Sequence, residues 1–120
     1  MKKLVISEKK WLSGEYLKKY RNSPSKLLNR QETRMCCLGF AAIQLCGANP
    51  RDIKNKACPE DVAEIFQKKL PWLLKENGSD SPVGLKLMKE NDNTDIDMNT
   101  RKSRIAALFA EHGVKVVFVP

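Results

Sequence analysis

The hydrophobic pattern is dominated by one stretch, Met35–Cys46 (MCCLGFAAIQLC), in which Gln44 is the only polar residue. It is too short to cross a bilayer, which takes about 20 apolar residues. A run of this length that is apolar all round predicts a helix sealed inside a small domain. The helix is expected to begin near Cys37 and to end at Gly47, a suitable left-handed terminator. Its large side chains are Leu38, Phe40, Ile43 and Leu45, and burying each contributes about 1.5–3 kcal/mol. Gly39 lies inside it at a cost of about 1 kcal/mol relative to alanine. A glycine kept there predicts close approach by another backbone.

The flanking pattern supplies layers to cover this helix. Leu4-Val5-Ile6 predicts a short strand with Leu4 and Ile6 facing the core. Residues 7–12 predict one helical turn capped by Ser7 and stopped at Gly14, and Glu15–Tyr20 continues at helical spacing. Asn22-Ser23-Pro24-Ser25 is turn chemistry. Lys26–Asn29 and Arg34–Cys36 predict a strand and its return around a hairpin loop at residues 30–33. Asn49-Pro50 opens a turn that exposes Arg51, Asp52, Lys54 and Lys56. Cys58-Pro59-Glu60-Asp61 predicts a helix start, with proline in the first turn and the helix running to Lys69 before Pro71.

Trp72-Leu73-Leu74 is a second apolar knot, followed by a loop over residues 77–82. Val83, Leu85 and Leu87 alternate, which favours a strand over residues 83–88, although Pro82 would equally open a helix. Residues 90–97 read as an acidic connector. Asn99 is the expected cap of a helix over residues 100–112, with Ile105, Leu108, Phe109 and His112 on its apolar face and Gly113 closing it. Val114–Val119 is a final strand, apolar on both faces and so expected inside the sheet or under a helix. The sum is a single α+β domain over residues 1–120: a small, mostly antiparallel sheet of three to five short strands packed against three or four helices.

Charge changes this picture more than composition does. The formal net charge is +8 over 120 residues, and residues 1–34 hold ten of the Lys/Arg against only three acids. Such a basic N-terminal third predicts an anionic partner: an acidic protein surface, a nucleotide or nucleic acid. Trp11, Tyr16 and Tyr20 are interleaved with Lys9, Lys10, Lys18, Lys19 and Arg21. Aromatics among basic residues can stack bases while lysines track phosphates. The same spacing suits an amphipathic helix whose rings pack inward and whose lysines face water.

The remaining chemistry is sparse. Cys36, Cys37, Cys46 and Cys58 lack the paired spacing of a zinc site. The sequence Asp95-Ile96-Asp97-Met98-Asn99 begins like a calcium loop, but Thr100 and Ala106 stand where glycine and a bidentate glutamate are required. No metal or cofactor is expected. Cys58, at a helix start whose dipole favours thiolate, and His112, the single histidine, are the only pair that would serve a cysteine-dependent enzyme. No signal peptide or membrane span is read in the sequence, so a cytoplasmic protein with reduced thiols is expected.

Three stretches carry a resemblance: Lys3–Gly14 (KLVISEKKWLSG), Arg34–Phe40 (RMCCLGF), and Asn91-Asp92 followed by Arg104–Val119 (RIAALFAEHGVKVVFV). Together they resemble a family of small proteins of tailed bacteriophages and prophages with a CCLG signature. In that family a basic tryptophan segment precedes CCLGF, and an Asn-Asp pair precedes a closing helix and strand. The resemblance implies an accessory protein of the host-cell cytoplasm that acts by binding, such as an inhibitor of a bacterial antiviral defence protein or of its nucleotide signal. It implies no catalytic residues. Lys9, Lys10, Trp11, Lys18, Lys19 and Arg21 are the expected contact residues. Direct nucleic-acid binding through the same basic third, and a Cys58–His112 enzyme, are the alternatives.

Overall fold

The structure is a computed structural model and describes residues 2–20 and 25–120; of Tyr20 it describes the backbone. Arg21 and residues 22–24 of the turn expected at 22–25 lie outside the described residues. In chain order the regular elements are β1 (Lys2–Ser7), α1 (Gly14–Tyr20), α2 (Cys37–Cys46), α3 (Pro50–Ile53), α4 (Ala63–Phe66), α5 (Pro82–Asp92), α6 (Met98–Ala110) and β2 (Val114–Val119). Short 3-10 turns occupy Glu8–Lys10, Pro59–Val62 and Pro71–Leu73.

The sheet departs from the expectation of three to five mostly antiparallel strands. Among the described residues it has two strands, β1 and β2, and they run parallel, with Leu4 opposite Val116 and Ile6 opposite Phe118. Among the described residues six helices, two of them single turns, replace the expected three or four. Two of the strands expected from sequence, at residues 26–29 and 34–36, form no regular ladder because much of their backbone bonds to other parts of the chain. The Leu27 amide donates to Lys56 O, the Asn55 amide to Leu28 O and the Met35 amide to Lys10 O, while the Asn29 amide donates to Arg34 O and the Cys36 amide to Lys26 O between the two pieces. Asn29 Oδ1 accepts the amides of Thr33 and Arg34 at 2.8 and 3.1 Å, so a side chain reinforces the loop that the Asn29–Arg34 backbone bond closes.

The stretch expected as a strand at residues 83–88 is helical. Ser81 caps α5, its Oγ accepting from the Gly84 amide at 3.1 Å, and Pro82 occupies the first turn. The buried positions Gly84, Leu87 and Asn91 follow a helical period, whereas Leu85 is 53% exposed, which a core-facing strand would not permit. Residues 90–92, expected in a connector, form the last turn of α5. The cap of α6 is Asp97 rather than Asn99: Asp97 Oδ1 accepts from the Thr100 amide at 2.7 Å. That bond holds the Asp97 carboxyl below its ordinary range. The single helix expected from Cys58 to Lys69 is broken into a 3-10 turn and α4, because Val62 leaves the helical region at φ −138°.

α2 forms where the apolar run predicts it. Its first turns, Cys37–Ala42, are buried, Gln44 is exposed, and Gly47 ends it at φ 68°. Gly39 meets another backbone as expected: a Cβ there would lie 1.8 Å from Leu27 O. α2 packs on β1 and α6 packs on β2, so the two helices back the same small sheet. Leu4, Ile6, Trp11, Phe66, Leu73, Leu87, Ile105 and Phe109 complete the core. Gln44 does more than occupy a solvent position. Its side-chain amide donates to Val5 O at 2.7 Å and its Oε1 accepts from Val5 N at 2.9 Å, so a side chain closes the outer edge of β1.

No helix among the described residues is long and apolar enough to cross a membrane.

Candidate functional site

The residues quoted from the CCLG, tryptophan and Asn-Asp stretches converge in space. Asn91, fully buried near the end of α5, is their meeting point. Its Oδ1 accepts from the Trp11 indole N–H at 2.7 Å and from the Cys37 amide at 3.0 Å. Its Nδ2 donates to Leu12 O at 2.8 Å and to Asp92 Oδ1 at 2.9 Å. Asp92 in turn accepts from the amide and the hydroxyl of Ser25. One buried side chain thus ties together the segment after β1, the start of α2 and the chain entering residue 25. The helix N-terminus has no cap from its own Cys36, and Asn91 supplies the missing acceptor from 54 residues away. This network is saturated and sealed, so its chemistry is that of a structural lock.

Trp11 belongs to the lock and not to the surface. It is 1% exposed, and its ring packs on Phe118 at 5.1 Å between centroids. Tyr16 is half-buried with the Arg34 guanidinium 4.0 Å above its ring. Of the two readings of this segment, inward packing describes Trp11, whereas Tyr16 lines a surface hollow under Arg34. The lysines take the other course: Lys9, Lys10, Lys18 and Lys19 are all exposed.

The acids of the basic third are all engaged with cations from the rest of the chain. Glu8 pairs with Lys102 at 2.8 Å, Glu15 with Arg101 at 3.9 Å, and Glu32 with Lys54 at 3.5 Å. Lys9, Lys10 and Lys18 make no ion pair among the described residues. The positive charge of these lysines is therefore left for solvent or a partner. The hollow beside it, about 300 Å³, is lined by Glu8, Glu15, Tyr16, Lys19, Arg34 and Met98 among others, and so is of mixed charge. A second hollow of about 370 Å³ pairs Lys10 with Glu32 over Leu28, Met35 and Ile43. Neither is a dedicated anion pocket, because each carries its own carboxylate.

Arg101, which the sequence reading missed, sits fully buried on the inner face of α6. Its guanidinium donates to the carbonyls of Asn93 and Ile96, and its Nε has no partner. Burial lowers its pKa from the ordinary value, and Glu15 beside it works in the opposite direction. Gly14 allows this packing, since a Cβ there would lie 2.7 Å from Arg101 Nη2.

The cysteines are free thiols. Burial pushes Cys36 up to about 12 and Cys37 well above its ordinary value. Cys58 is also pushed up to about 12, by desolvation and then by the neighbouring carboxylates of Asp80 and Asp61. This runs against the expectation of an activated thiol. The 3-10 turn that follows Cys58 is four residues long, too short for an appreciable macrodipole, and two carboxylates outweigh it. His112 is exposed and stacks on Trp72, with ring centroids 4.1 Å apart and planes 4° from parallel. Alkylation of Cys58 by iodoacetamide should accordingly be slower at pH 7 than that of a free cysteine and should keep rising with pH to beyond pH 10, checked by mass spectrometry of the modified peptide. A plateau below pH 8 would contradict this.

Cys58 Sγ and the carboxylates of Glu60 and Asp80 have donor atoms within 4.8 Å of one another. Their geometry is explained by the backbone. Asp80 Oδ1 accepts from the Glu60 amide at 3.0 Å and Asp61 Oδ2 from the Ala57 amide at 3.1 Å, so the acids hold two loops together. Among the described residues the cluster brings together three donors within that distance, one fewer than a four-ligand zinc centre uses.

Compared with protein-family models, curated proteins and solved structures, the chain matches none.

Proposed function

We propose that the protein acts by binding, through the lysine face of its N-terminal third, to an acidic surface on another macromolecule. The observation that carries this reading is the pairing of Glu8, Glu15 and Glu32 with cations from elsewhere, which leaves Lys9, Lys10 and Lys18 exposed and unpaired. A charged face of this kind attracts a partner at long range and orients it. The carboxylates in the two nearby hollows favour an extended acidic surface over a pocketed nucleotide. The packing of Trp11 and the cover over Tyr16 favour a protein partner over single-stranded nucleic acid, since neither ring is presented as a stacking platform. The resemblance to phage proteins makes a host antiviral defence protein the partner to look for first, with the chain as its inhibitor.

The test is affinity capture from a bacterial lysate, with and without nuclease, using the wild-type chain and a Lys9→Glu/Lys10→Glu/Lys18→Glu variant. A protein retained after nuclease by the wild type should bind the variant at least about tenfold more weakly, because three exposed charge contacts contribute up to about 1 kcal/mol each. The melting temperature should be unchanged. Binding that survives the triple reversal would reduce the face to a solvated surface. Loss of all partners after nuclease, with affinity falling steeply in salt, would point to nucleic acid instead.

A further inference from the structure

The two edges of the sheet are treated differently. In the β1–β2 register Lys2 N donates to Gly113 O, which turns the backbone groups of Lys2, Leu4 and Ile6 toward β2. Val5 therefore points its N–H and C=O the other way, and Gln44 satisfies both. The same alternation turns Lys115, Val117 and Val119 toward β1, leaving the N–H and C=O of Val116 and Phe118 on the opposite edge of β2. No strand lies along that edge among the described residues. Nor do Val116 and Phe118 bond to a side chain there, as Val5 does.

The outer face beside this edge is only partly covered. Val5, Val117 and Val119 share it and are each only half-buried, although β2 is a run of apolar residues broken only by Lys115. Lys3 and Lys115 stand directly opposite each other on the same face, both exposed and neither in an ion pair among the described residues. Like charges in directly opposed positions destabilise a sheet unless an opposite charge answers them. A second copy of this chain would bring a further lysine row to the same place and add a net charge of +8 to +8.

We infer that β2 is a docking edge for an extended segment of a partner protein, one that carries a carboxylate across from Lys115 and apolar residues along Val116 and Phe118. The added strand completes the hydrogen bonds of that edge, sets its carboxylate on the outer face beside Lys115, and sets its apolar residues on the inner face beside Val116 and Phe118. This is strand addition, in which the main chain supplies affinity and alternate side chains supply specificity. The edge is distinct from the Lys9–Lys10–Lys18 face, and the inference does not depend on that face.

The experiment uses the full chain and a capped Thr-Val-Glu-Val-Glu-Val peptide, with a Thr-Val-Lys-Val-Lys-Val peptide as its counterpart. Amide exchange of Val116 and Phe118 should slow by about tenfold or more when the acidic peptide saturates the protein. The acidic peptide should bind about tenfold more tightly than the basic one, and a Lys3→Glu/Lys115→Glu variant should invert the order. That variant keeps a like-charge pair in register, so its fold is under no new strain. The same charge change placed off the sheet, Lys75→Glu/Lys89→Glu, should leave the order as in the wild type. The inference is overturned if the acidic peptide does not bind, if binding leaves those two amides unprotected, or if the off-sheet variant inverts the order as well. A concentration-dependent dimer that protects the same amides without peptide would overturn it too, by making the occupant a second copy.

Discussion

An Asn91→Ala variant is expected to lose about 4 kcal/mol of stability, a large share of the roughly 5–15 kcal/mol that holds a domain of this size. The cause is what remains after the amide is gone. The Trp11 indole N–H and the Cys37 amide lose their acceptor, and Leu12 O loses its donor. Trp11 and Cys37 are buried at 1% and 0% exposure, so water does not readily take the place of the amide. Each buried group left unsatisfied costs about 1–3 kcal/mol. Urea denaturation should show a lower midpoint with the slope unchanged, the signature of lost stability without a change in exposed surface. A double-mutant cycle with Trp11→Phe should give a coupling of about 1 kcal/mol or more, because the two side chains share a direct bond. A loss below about 1 kcal/mol would mean that water enters the site and replaces the amide.

The distance along the chain in that network explains what could be read from the sequence and what could not. Trp11 and Asn91 are 80 residues apart, and Cys37 and Asn91 54 apart. No local pattern announces such a bond, so Asn91 was visible only as part of a quoted motif. Arg101 was hidden for the same reason: it lies one turn before Ile105 on the buried face of α6, but an arginine there reads as surface. Elements whose period is unambiguous were legible. The run at residues 35–46, the alternation of Leu4 and Ile6, and the spacing of Ile105, Leu108 and Phe109 each form the element they suggest. Gln44, the single polar residue in the apolar run, proved to be the side chain that closes the edge of β1.

Ambiguous period produced the errors of fold. Val83, Leu85 and Leu87 alternate as a strand would, yet the proline and serine before them start a helix, and capping decided the outcome. The short apolar pieces at residues 26–29 and 34–36 read as strands because strand propensity measures fit to a half-buried pleated surface. In the folded chain they are bridging loops, with single bridges from Leu28 to Lys54 and from Met35 to Trp11. The exposure of Lys9, Lys10, Lys18 and Lys19 is what their charge suggests. The burial of Trp11 within that segment was not legible, because an aromatic among lysines has the same sequence pattern whether its ring packs inward or outward.

Gly39→Ala gives the second large effect, and its sign separates two principles. Helix propensity by itself predicts that alanine would stabilise α2 by about 1 kcal/mol. Geometry predicts the reverse. The new Cβ would lie 1.8 Å from Leu27 O, 2.8 Å from the Leu27 carbonyl carbon and 2.9 Å from Met35 Cβ. The first two are backbone atoms of a segment that cannot easily move. Leu27 is fully buried, its amide donates to Lys56 O at 2.8 Å, and Cys36 donates to the preceding carbonyl of Lys26 at 3.1 Å. To make room, either α2 or the chain at residues 26–28 must shift by more than an ångström, breaking these bonds or opening a gap beside Leu38. Overpacking of this kind typically costs 1–3 kcal/mol, and with backbone as the obstacle the expected net loss is about 3 kcal/mol. Thermal and urea unfolding would read it directly. A variant as stable as the wild type, or more so, would show that the Leu27 segment gives way and that Gly39 is not what lets the two backbones touch. A clear loss would establish the contact between α2 and residues 26–28 as the packing constraint that keeps glycine in the middle of the core helix.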